Sequence, residues 1–325
     1  MKKNTGVKNK PNEKTEQKGW FRRHLTGVIL AIILIAGASL LSYPTISDHW
    51  NRFHQTHAVM SYTDRVDHLE EAAYEQVLEA AYAYNHELAE KGPDWQPDGK
   101  QMAAYSGQLN IDASGVMGYL NIPKIHVTLP ICHGTEETVL QTAVGHLEAT
   151  SLPVGCKSYD GRQERVTDET EGSHCVISGH RGLPSAKLFT DLDRLTEGDC
   201  FSITVLHETI TYEVDQIRVV EPTDLSNLQI VPGEDYCTLL TCTPYGINTH
   251  RLLVRGHRVE NHSDEVHMMS DAFRFWPDLI TPVAAAISLL ILLIALVVVA
   301  RRRKRKKDDH FKTCCRVAKK EHMKQ

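Results

Sequence analysis

Long uninterrupted apolar runs occur in two segments of the chain, residues 24–43 and residues 279–300. Each run has about the 20 residues that a helix needs to cross the hydrocarbon core of a bilayer. Residues 1–23 hold eight Lys or Arg and two acidic residues, and residues 301–325 begin with seven consecutive basic residues. Because basic flanks stay on the cytoplasmic side, the pattern predicts two transmembrane helices between two basic cytoplasmic tails, with the middle of the chain outside.

The first apolar segment has a second interpretation. Ala36-Gly37-Ala38 follows an apolar stretch and resembles a signal-peptidase site. Cleavage there would leave the middle of the chain outside, held by the second helix alone. The apolar run continues through Leu40 and Leu41, which favours retention of the segment as a membrane anchor.

The part that follows the first apolar segment, residues 44–116, is predicted to be helical. Apolar residues between Leu69 and Ala81 recur there at helical spacing. The stretch Gly92–Gly99 contains two Gly, two Pro and two Asp, a composition that ends a helix and forms a loop.

Residues 117–260 change to short runs of β-branched or alternating residues, mostly bounded by Gly, Pro or Asp. The runs are GYLNIPKI, VTLPICHG, HCVISGH, FSITVLHETITYEVDQIRVV and YCTLLTCT. One short helix is predicted at Ser185–Leu195, where three leucines recur at helical spacing. Many short strands with few helices favour a closed β-barrel or a sandwich. Residues 261–278 are predicted to be a polar linker.

Charge is unevenly distributed along the chain. The whole chain is formally −5, but residues 24–300 hold 16 basic and 36 acidic residues. Such an acidic surface makes nucleic acid a poor partner. It would attract a basic substrate, or it would only keep the exported region soluble, and both interpretations remain open.

Six of the eight cysteines belong to the region predicted to lie outside the membrane. An even number in an exported domain permits disulfides, although one working thiol would leave at least one further cysteine unpaired. No CxxC or Cys/His pair has zinc-finger spacing, so no metal site and no cofactor are expected.

Three residues of the β-rich region combine the chemistry of nucleophilic catalysis. Cys242 and His180 each stand at the end of an apolar strand, and Arg251 opens the strand that returns after Cys242. A thiolate can attack an acyl carbon, an imidazolium can protonate the leaving amine, and a guanidinium can stabilise the oxyanion. From spacing alone, each also has an ordinary interpretation as a buried thiol, a turn histidine or a surface charge.

The segments around these residues resemble one enzyme family. TLLTCTPYGINTHRLLVRG is similar to the signature of sortases, in which a Thr-Leu-x-Thr-Cys strand precedes a hairpin to an essential Arg. SGHRGLPSAKLFTDLDRL resembles the sortase histidine segment. MGYLNIPKI, LPICHGT and VGHLEATSLPVG resemble the opening strands of the fold, and specifically its class C, pilus-assembling branch. The resemblance covers residues 117–259.

The resemblance implies an eight-stranded β-barrel and a cysteine transpeptidase with Cys242, His180 and Arg251 as catalytic residues. Such an enzyme cleaves a Leu-Pro-x-Thr-Gly-like sorting signal after Thr and holds the product as a thioester, which an amine resolves. In class C enzymes this amine is typically a lysine of another pilin subunit. The implied partners are therefore pilin subunits or other surface proteins with a C-terminal sorting signal. Thr241 matches the family's Thr before the nucleophile and is expected either to orient substrate or to pack within the strand.

A lid before the barrel is a further feature of class C enzymes, carried by an Asp-Pro-aromatic motif. This chain has Pro93-Asp94-Trp95 there, so the proline is displaced. Asp94 and Trp95 are the candidate lid residues. A closed lid would place Trp95 over Cys242. It would also pair Asp94 with Arg251. An ordinary loop that ends the preceding helix is the alternative.

Three other functions remain open at this point. A sortase could attach proteins to a peptidoglycan-precursor amine instead of a pilin lysine. A membrane scaffold could bind pilin tails without cleaving them. A cysteine protease could transfer the acyl group to water. Alkylation of Cys242 separates an enzyme from a scaffold, and product analysis with added amine separates a transpeptidase from a protease.

Overall fold

The computed structural model describes residues 13–157, 159–160, 165–166 and 171–261 of the 325-residue chain. The chain divides into two units, residues 1–43 with 274–325, and residues 44–273.

The first unit is described over residues 13–43, which form the beginning of helix α1, Glu13–Asp67. Large apolar side chains on this part of α1 are exposed; they are Ile29, Leu30, Ile32, Ile33, Leu34, Ile35, Leu40 and Leu41. Among the helices of the described residues, none combines the length and the apolar character needed to cross a bilayer. The predicted segment 24–43 lies within α1, although the side chains of 24–28 and 31 fall outside the description. The predicted segment 279–300 lies wholly outside the described residues, so both membrane segments stay predictions.

Helices open the second unit, as the apolar spacing predicts. After α1 come α2, Glu71–Lys91, and α3, Gly99–Ser106. α2 ends at Gly92, whose φ of +76° favours glycine. α3 begins with a capping box, in which the Asp98 carboxylate accepts from the Gln101 amide while the Gln101 side chain accepts from the Asp98 amide. A cap of this kind stabilises a helix by about 1 kcal/mol, which fixes the loop between the two helices at its far end.

A closed eight-stranded barrel forms the body of the second unit, in the order β1-β2-β3-β6-β9-β10-β8-β7. Its strands are β1 Val116–Ile122, β2 Val127–His133, β3 Val144–His146, β6 Ser173–Ser178, β7 Cys200–Val205, β8 Glu208–Val220, β9 Asp235–Thr243 and β10 His250–Val259. Strands β4, Tyr159–Asp160, and β5, Arg165–Val166, form a separate small ribbon. A short helix, α4, spans Glu137–Leu140 between β2 and β3. The eight-stranded barrel predicted from the sequence is confirmed.

Alternate residues of each strand face the barrel interior. The interior is a continuous apolar core that includes Cys237 and Leu239 of β9, together with Leu252 of β10. Leu240 of β9 and Leu253 of β10 belong instead to a second cluster. We call this second group the outer-face cluster; its members are Trp95, Leu147, Val176, Val220, Leu225, Leu228, Leu240 and Leu253. The sheet β6-β9-β10 is therefore covered by apolar side chains on both faces.

The helix predicted at Ser185–Leu195 is not formed. The segment contains turns and a three-residue 3₁₀ helix, Leu192–Arg194. Leu188 has a φ of +37°, which a right-handed helix excludes. Its leucines are all buried, so the segment is held by apolar anchoring into the core rather than by helix periodicity.

Candidate active site

Cys242 and Arg251 lie directly opposite each other on neighbouring strands. β9 and β10 are antiparallel, and their register pairs Arg251 with Cys242. Side chains of directly opposed residues project from the same face, with Cβ atoms about 4.5–5.5 Å apart. The hairpin that joins the two strands therefore brings the thiol and the guanidinium side by side.

The face on which they lie follows from strand alternation. Leu239 faces the barrel interior, whereas Leu240 belongs to the outer-face cluster. Cys242 shares the parity of Leu240, and Arg251 shares that of Leu253. Both candidate residues therefore lie on the outer face of the sheet. Each is two residues along its strand from a leucine of the outer-face cluster, and Cys242 is partly exposed.

His180 reaches the same place from the other side of β9. β6 runs parallel to β9, with Ser178 paired to Leu240. The backbone alignment continues past β6, because the Gly179 amide donates to the Leu240 carbonyl oxygen at 3.0 Å. Two residues beyond Ser178 is His180, and two residues beyond Leu240 is Cys242. The structure thus brings His180, Cys242 and Arg251 to the same end of three adjacent strands.

Thr241 is placed differently from its neighbour. Its side chain is buried, and its hydroxyl donates to the Gly179 carbonyl oxygen at 2.7 Å. This bond fastens the segment before His180 to the strand before Cys242. The structure therefore gives Thr241 a packing contact, and a contact with substrate stays a prediction.

Among the described residues, the hydrogen-bond partners of the Arg251 guanidinium are backbone carbonyls close to it in sequence. Its Nη1 donates to the carbonyl oxygens of His250, at 3.1 Å, and Asn248, at 3.4 Å. No carboxylate within the described residues pairs with it. Most of its donors therefore remain available to an oxyanion or to substrate carbonyl groups.

The candidate lid segment is only partly where the sequence predicts it. Trp95 packs on the outer-face cluster, on the same sheet face as Cys242. Asp94 is not brought to Arg251. Its carboxylate accepts instead from the Gln96 amide and from the Gln101 side chain, both at 3.0 Å, and these bonds lower the pKa of the Asp94 carboxyl.

Two residues beside the site were missed in the sequence. Glu137 of α4 lies with Oε2 3.3 Å from Nε2 of His180. Arg181, whose side chain is 9% exposed, donates to the Thr243 hydroxyl at 3.2 Å and forms an ion pair with Asp193. Glu137 is far from His180 in sequence and gives no periodic signal. Arg181 could have been suspected, since it directly follows His180.

A second thiol–imidazole pair lies inside the barrel. Burial raises the pKa of Cys175, but hydrogen bonds from Cys237 and His146 and the charge of His146 outweigh it and lower this pKa to about 6. A low pKa makes a good nucleophile only where substrate can reach it. Cys175 is 1% exposed, so we assign the role of candidate nucleophile to Cys242 and not to Cys175.

The six described cysteines form no disulfide with one another. Within the same described ranges, no group of three or more His, Cys, Asp or Glu side chains is arranged to hold a metal ion.

Comparison with known proteins agrees with this geometry. The family model described as the sortase domain matches residues 120–259. Crystalline sortase C1 from Streptococcus agalactiae is 51% identical with a TM-score of 0.58, over 63% of this chain and 100% of that chain. Sortase C from Streptococcus pneumoniae is 39% identical with a TM-score of 0.53, over 63% of this chain and 97% of that chain.

A curated relative is more distant. Sortase D from Bacillus subtilis strain 168 is 28% identical over 145 residues, which are 44% of this chain and 63% of that protein. The chain spans between 40% and 63% of the length of the first three curated relatives that it matches. Identity of 51% over the whole of a solved class C structure is nevertheless far above what a shared fold alone requires. The chain therefore belongs to the sortase family, in its class C branch.

Proposed function

We propose that this chain is a cysteine transpeptidase in which Cys242 is the nucleophile and His180 and Arg251 are its catalytic partners. The observation that carries the proposal is the strand register, with Arg251 opposite Cys242 in β9–β10 and His180 in line with Cys242 across β6–β9. The three residue types that nucleophilic acyl transfer needs lie at the same end of three adjacent strands, and each is partly exposed.

The chemistry proceeds in two halves. The Cys242 thiolate attacks the carbonyl carbon of the scissile peptide, and Arg251 donates hydrogen bonds to the oxyanion that forms. The C–N bond breaks, and the His180 imidazolium gives its proton to the leaving amine. In the second half an incoming amine attacks the thioester, passes a proton to His180 and releases the thiolate.

The substrate of this reaction is a Leu-Pro-x-Thr-Gly-like sorting signal, and the acceptor is a lysine amine of a pilin subunit. Support for a pilin comes from the class C branch, since the Streptococcus pneumoniae neighbour was studied for its pilin substrate specificity. An acidic region with 36 acidic and 16 basic residues between 24 and 300 favours the approach of a lysine-bearing acceptor. A peptidoglycan-precursor amine is the alternative acceptor.

We further propose that the two apolar segments anchor the enzyme in the cell membrane, with the barrel outside. The argument is the sequence pattern alone: two runs of suitable length, each with a basic flank on its outer end. The acyl donors would then be proteins that arrive at the same membrane surface.

The proposed activity can be tested by incubating the full-length chain, in detergent, with a fluorogenic peptide that contains the sorting motif. Mass spectrometry should find the N-terminal peptide fragment joined to Cys242. A pilin lysine peptide should convert this thioester to a ligated product, and a peptidoglycan-precursor amine should do so less well. A thioester that only water resolves would indicate a protease, and the absence of any thioester would end the proposal.

A further inference from the structure

Glu137 is the one acidic side chain that contacts His180 among the described residues. Its Oε2 lies 3.3 Å from Nε2 of the imidazole. Because a carboxylate can only accept, the hydrogen between the two atoms must be carried by Nε2. The opposite ring nitrogen, Nδ1, has no hydrogen-bond partner within the described part of the chain.

The carboxylate is itself held in place. Gln141, one helical turn later, donates from its side chain to Oε1 of Glu137 at 2.6 Å. This bond, together with the charge of His180, keeps the pKa of the Glu137 carboxyl below its usual value. Glu137 is therefore charged at neutral pH, and each of its oxygens has a separate partner.

The fold fixes the helix that carries Glu137 relative to His180. α4 leads directly into β3, and the Ala143 amide just before that strand donates to the Val139 carbonyl oxygen of α4 at 3.0 Å. β3 in turn pairs with β6 through Gly145 and Ser178. Glu137 lies on the helix just before β3, and His180 lies just after β6. Because β3 and β6 are hydrogen-bonded neighbours, the two residues are held close together.

We propose that Glu137 is a positioning residue for His180. It accepts from Nε2–H and so aims Nδ1 at the reacting groups. When the scissile C–N bond breaks and the S–C bond forms, the proton on Nδ1 moves to the leaving amine. When the new N–C bond forms and the C–S bond breaks, the incoming amine returns a proton to Nδ1. This role rests on the function proposed above.

Neighbouring Glu136 supplies a matched control, since it is exposed at the N-cap of the same short helix and forms no ion pair with His180 among the described residues. In the fluorogenic assay, Glu137→Ala should lower kcat about three- to fivefold with little change in KM, the scale of an exposed ion pair. Glu137→Gln should restore most of the rate, because its amide oxygen still accepts from Nε2–H. Glu136→Ala should match the parent.

A double-mutant cycle tests whether the effect passes through His180. In a His180→Ala background, Glu137→Ala should leave the residual rate unchanged. The ring itself can be read by ¹⁵N NMR in a Cys242→Ala background, which needs no turnover. There the Nε2–H form of His180 should dominate, and Glu137→Ala should increase the Nδ1–H fraction.

Unchanged ring-nitrogen shifts in Glu137→Ala would overturn the positioning role, as would an equal loss of rate in the presence and absence of His180. These outcomes differ from failure of the proposed function. If Cys242→Ala and His180→Ala kept the parent rate, the transpeptidase mechanism would fail, and the NMR comparison would still decide the contact between Glu137 and His180.

Discussion

Cys242 of β9 and Cys175 of β6 lie on adjacent strands, at different points along them, and face opposite sides of the sheet. Cys175 lies in the closed interior with Cys237 and His146, whereas Cys242 ends its strand on the outer face. Our proposal of Cys242 as the nucleophile therefore rests on access for a substrate rather than on the lower pKa of the Cys175 thiol. The same contrast provides the control for a test of the catalytic residues.

Cys242→Ala should abolish thioester formation, because it removes the attacking sulfur, while Cys175→Ala should retain turnover and lose only stability. His180→Ala and Arg251→Ala should each lower kcat/KM by about 10²–10⁴, the range for losing a general acid or an oxyanion donor. Kinetics with the sorting peptide and intact-mass detection of the thioester provide the measurement. If Cys175→Ala lost the thioester and Cys242→Ala kept it, Cys175 would be the nucleophile and our assignment would be wrong.

Single residues also show how much of the candidate site could be predicted from the sequence. The ends of β6 and β9 are marked by apolar runs that stop at glycine or proline, so the positions of His180 and Cys242 at strand ends were readable. The inward direction of Thr241 could not be predicted, since Leu239 and Leu240 are both apolar and the sequence does not tell which of them faces the core. The contact between Glu137 and His180, 43 residues apart, could not be predicted, because it depends on a four-residue helix and on the antiparallel pairing of β3 with β6.

At the scale of elements, the loop between α2 and α3 carries the candidate lid. Trp95 packs on the outer-face cluster, and Asp94 holds the loop through Gln101 of α3. Asp94 therefore ties the loop to α3, and Trp95 ties it to the barrel. If the loop acts as a lid, its closure depends on the contact of Trp95 with the barrel.

Replacing both Asp94 and Trp95 by Ala should speed alkylation of Cys242 and raise hydrolysis of a short peptide, because a closed lid reduces the competent fraction of the enzyme. Trp50→Ala, an exposed tryptophan on α1, is the control and should leave both rates unchanged. Peptide mapping must identify the alkylated cysteine, since several thiols are present. Equal rates at Cys242 in parent and double variant would make the segment a plain linker.

β6 and β9 are also joined by a buried histidine. His174 contacts the Gln229 carbonyl oxygen through Nδ1 and the Thr238 hydroxyl through Nε2, both at 2.8 Å. The carbonyl must accept, so Nδ1 carries the hydrogen and Nε2 accepts from Thr238. Burial lowers the pKa of His174 from 6.5 to about 4, because a second proton would be both desolvated and without an acceptor.

This pKa difference predicts a loss of stability on acidification. Between pH 6.5 and 4 the unfolded chain binds a proton that the folded chain does not, so the free energy of unfolding falls as pH falls. The contribution is about 3 kcal/mol, complete above pH 6.5 and lost by about pH 4. Denaturant unfolding of the parent and of His174→Gln at pH 7 and pH 4.5 measures it. A parent that loses no more stability than the variant would contradict the assignment.

The strand pattern predicted most elements, and its failures have local causes. The β-branched or alternating runs of 117–260 became the barrel strands, and each strand contributes side chains to the apolar core. The Ser185–Leu195 segment carried the leucine spacing of a helix, but the left-handed conformation of Leu188 interrupts it. Spacing records which side chains are apolar and does not record where the backbone turns to bury them.

At the scale of the whole molecule, the predicted membrane hairpin has a direct test. Both apolar segments have their basic flanks at the outer ends of the chain, so tags at both termini should be protected from protease added to intact cells. The barrel should be digested or biotinylated from outside under the same conditions. Digestion of a C-terminal tag from outside would contradict the topology. Loss of an N-terminal tag by cleavage after Ala38 would support the signal-peptide interpretation.

β10 is the last barrel strand in the chain, yet it lies between β9 and β8 in space. Until residues 250–259 insert, the facing edges of β8 and β9 are unpaired and the barrel is open. Arg251 arrives with this strand, opposite a thiol that was synthesised earlier. A growing chain therefore contains the proposed nucleophile before the barrel is closed, and the proposed catalytic set is complete only when this final strand has paired.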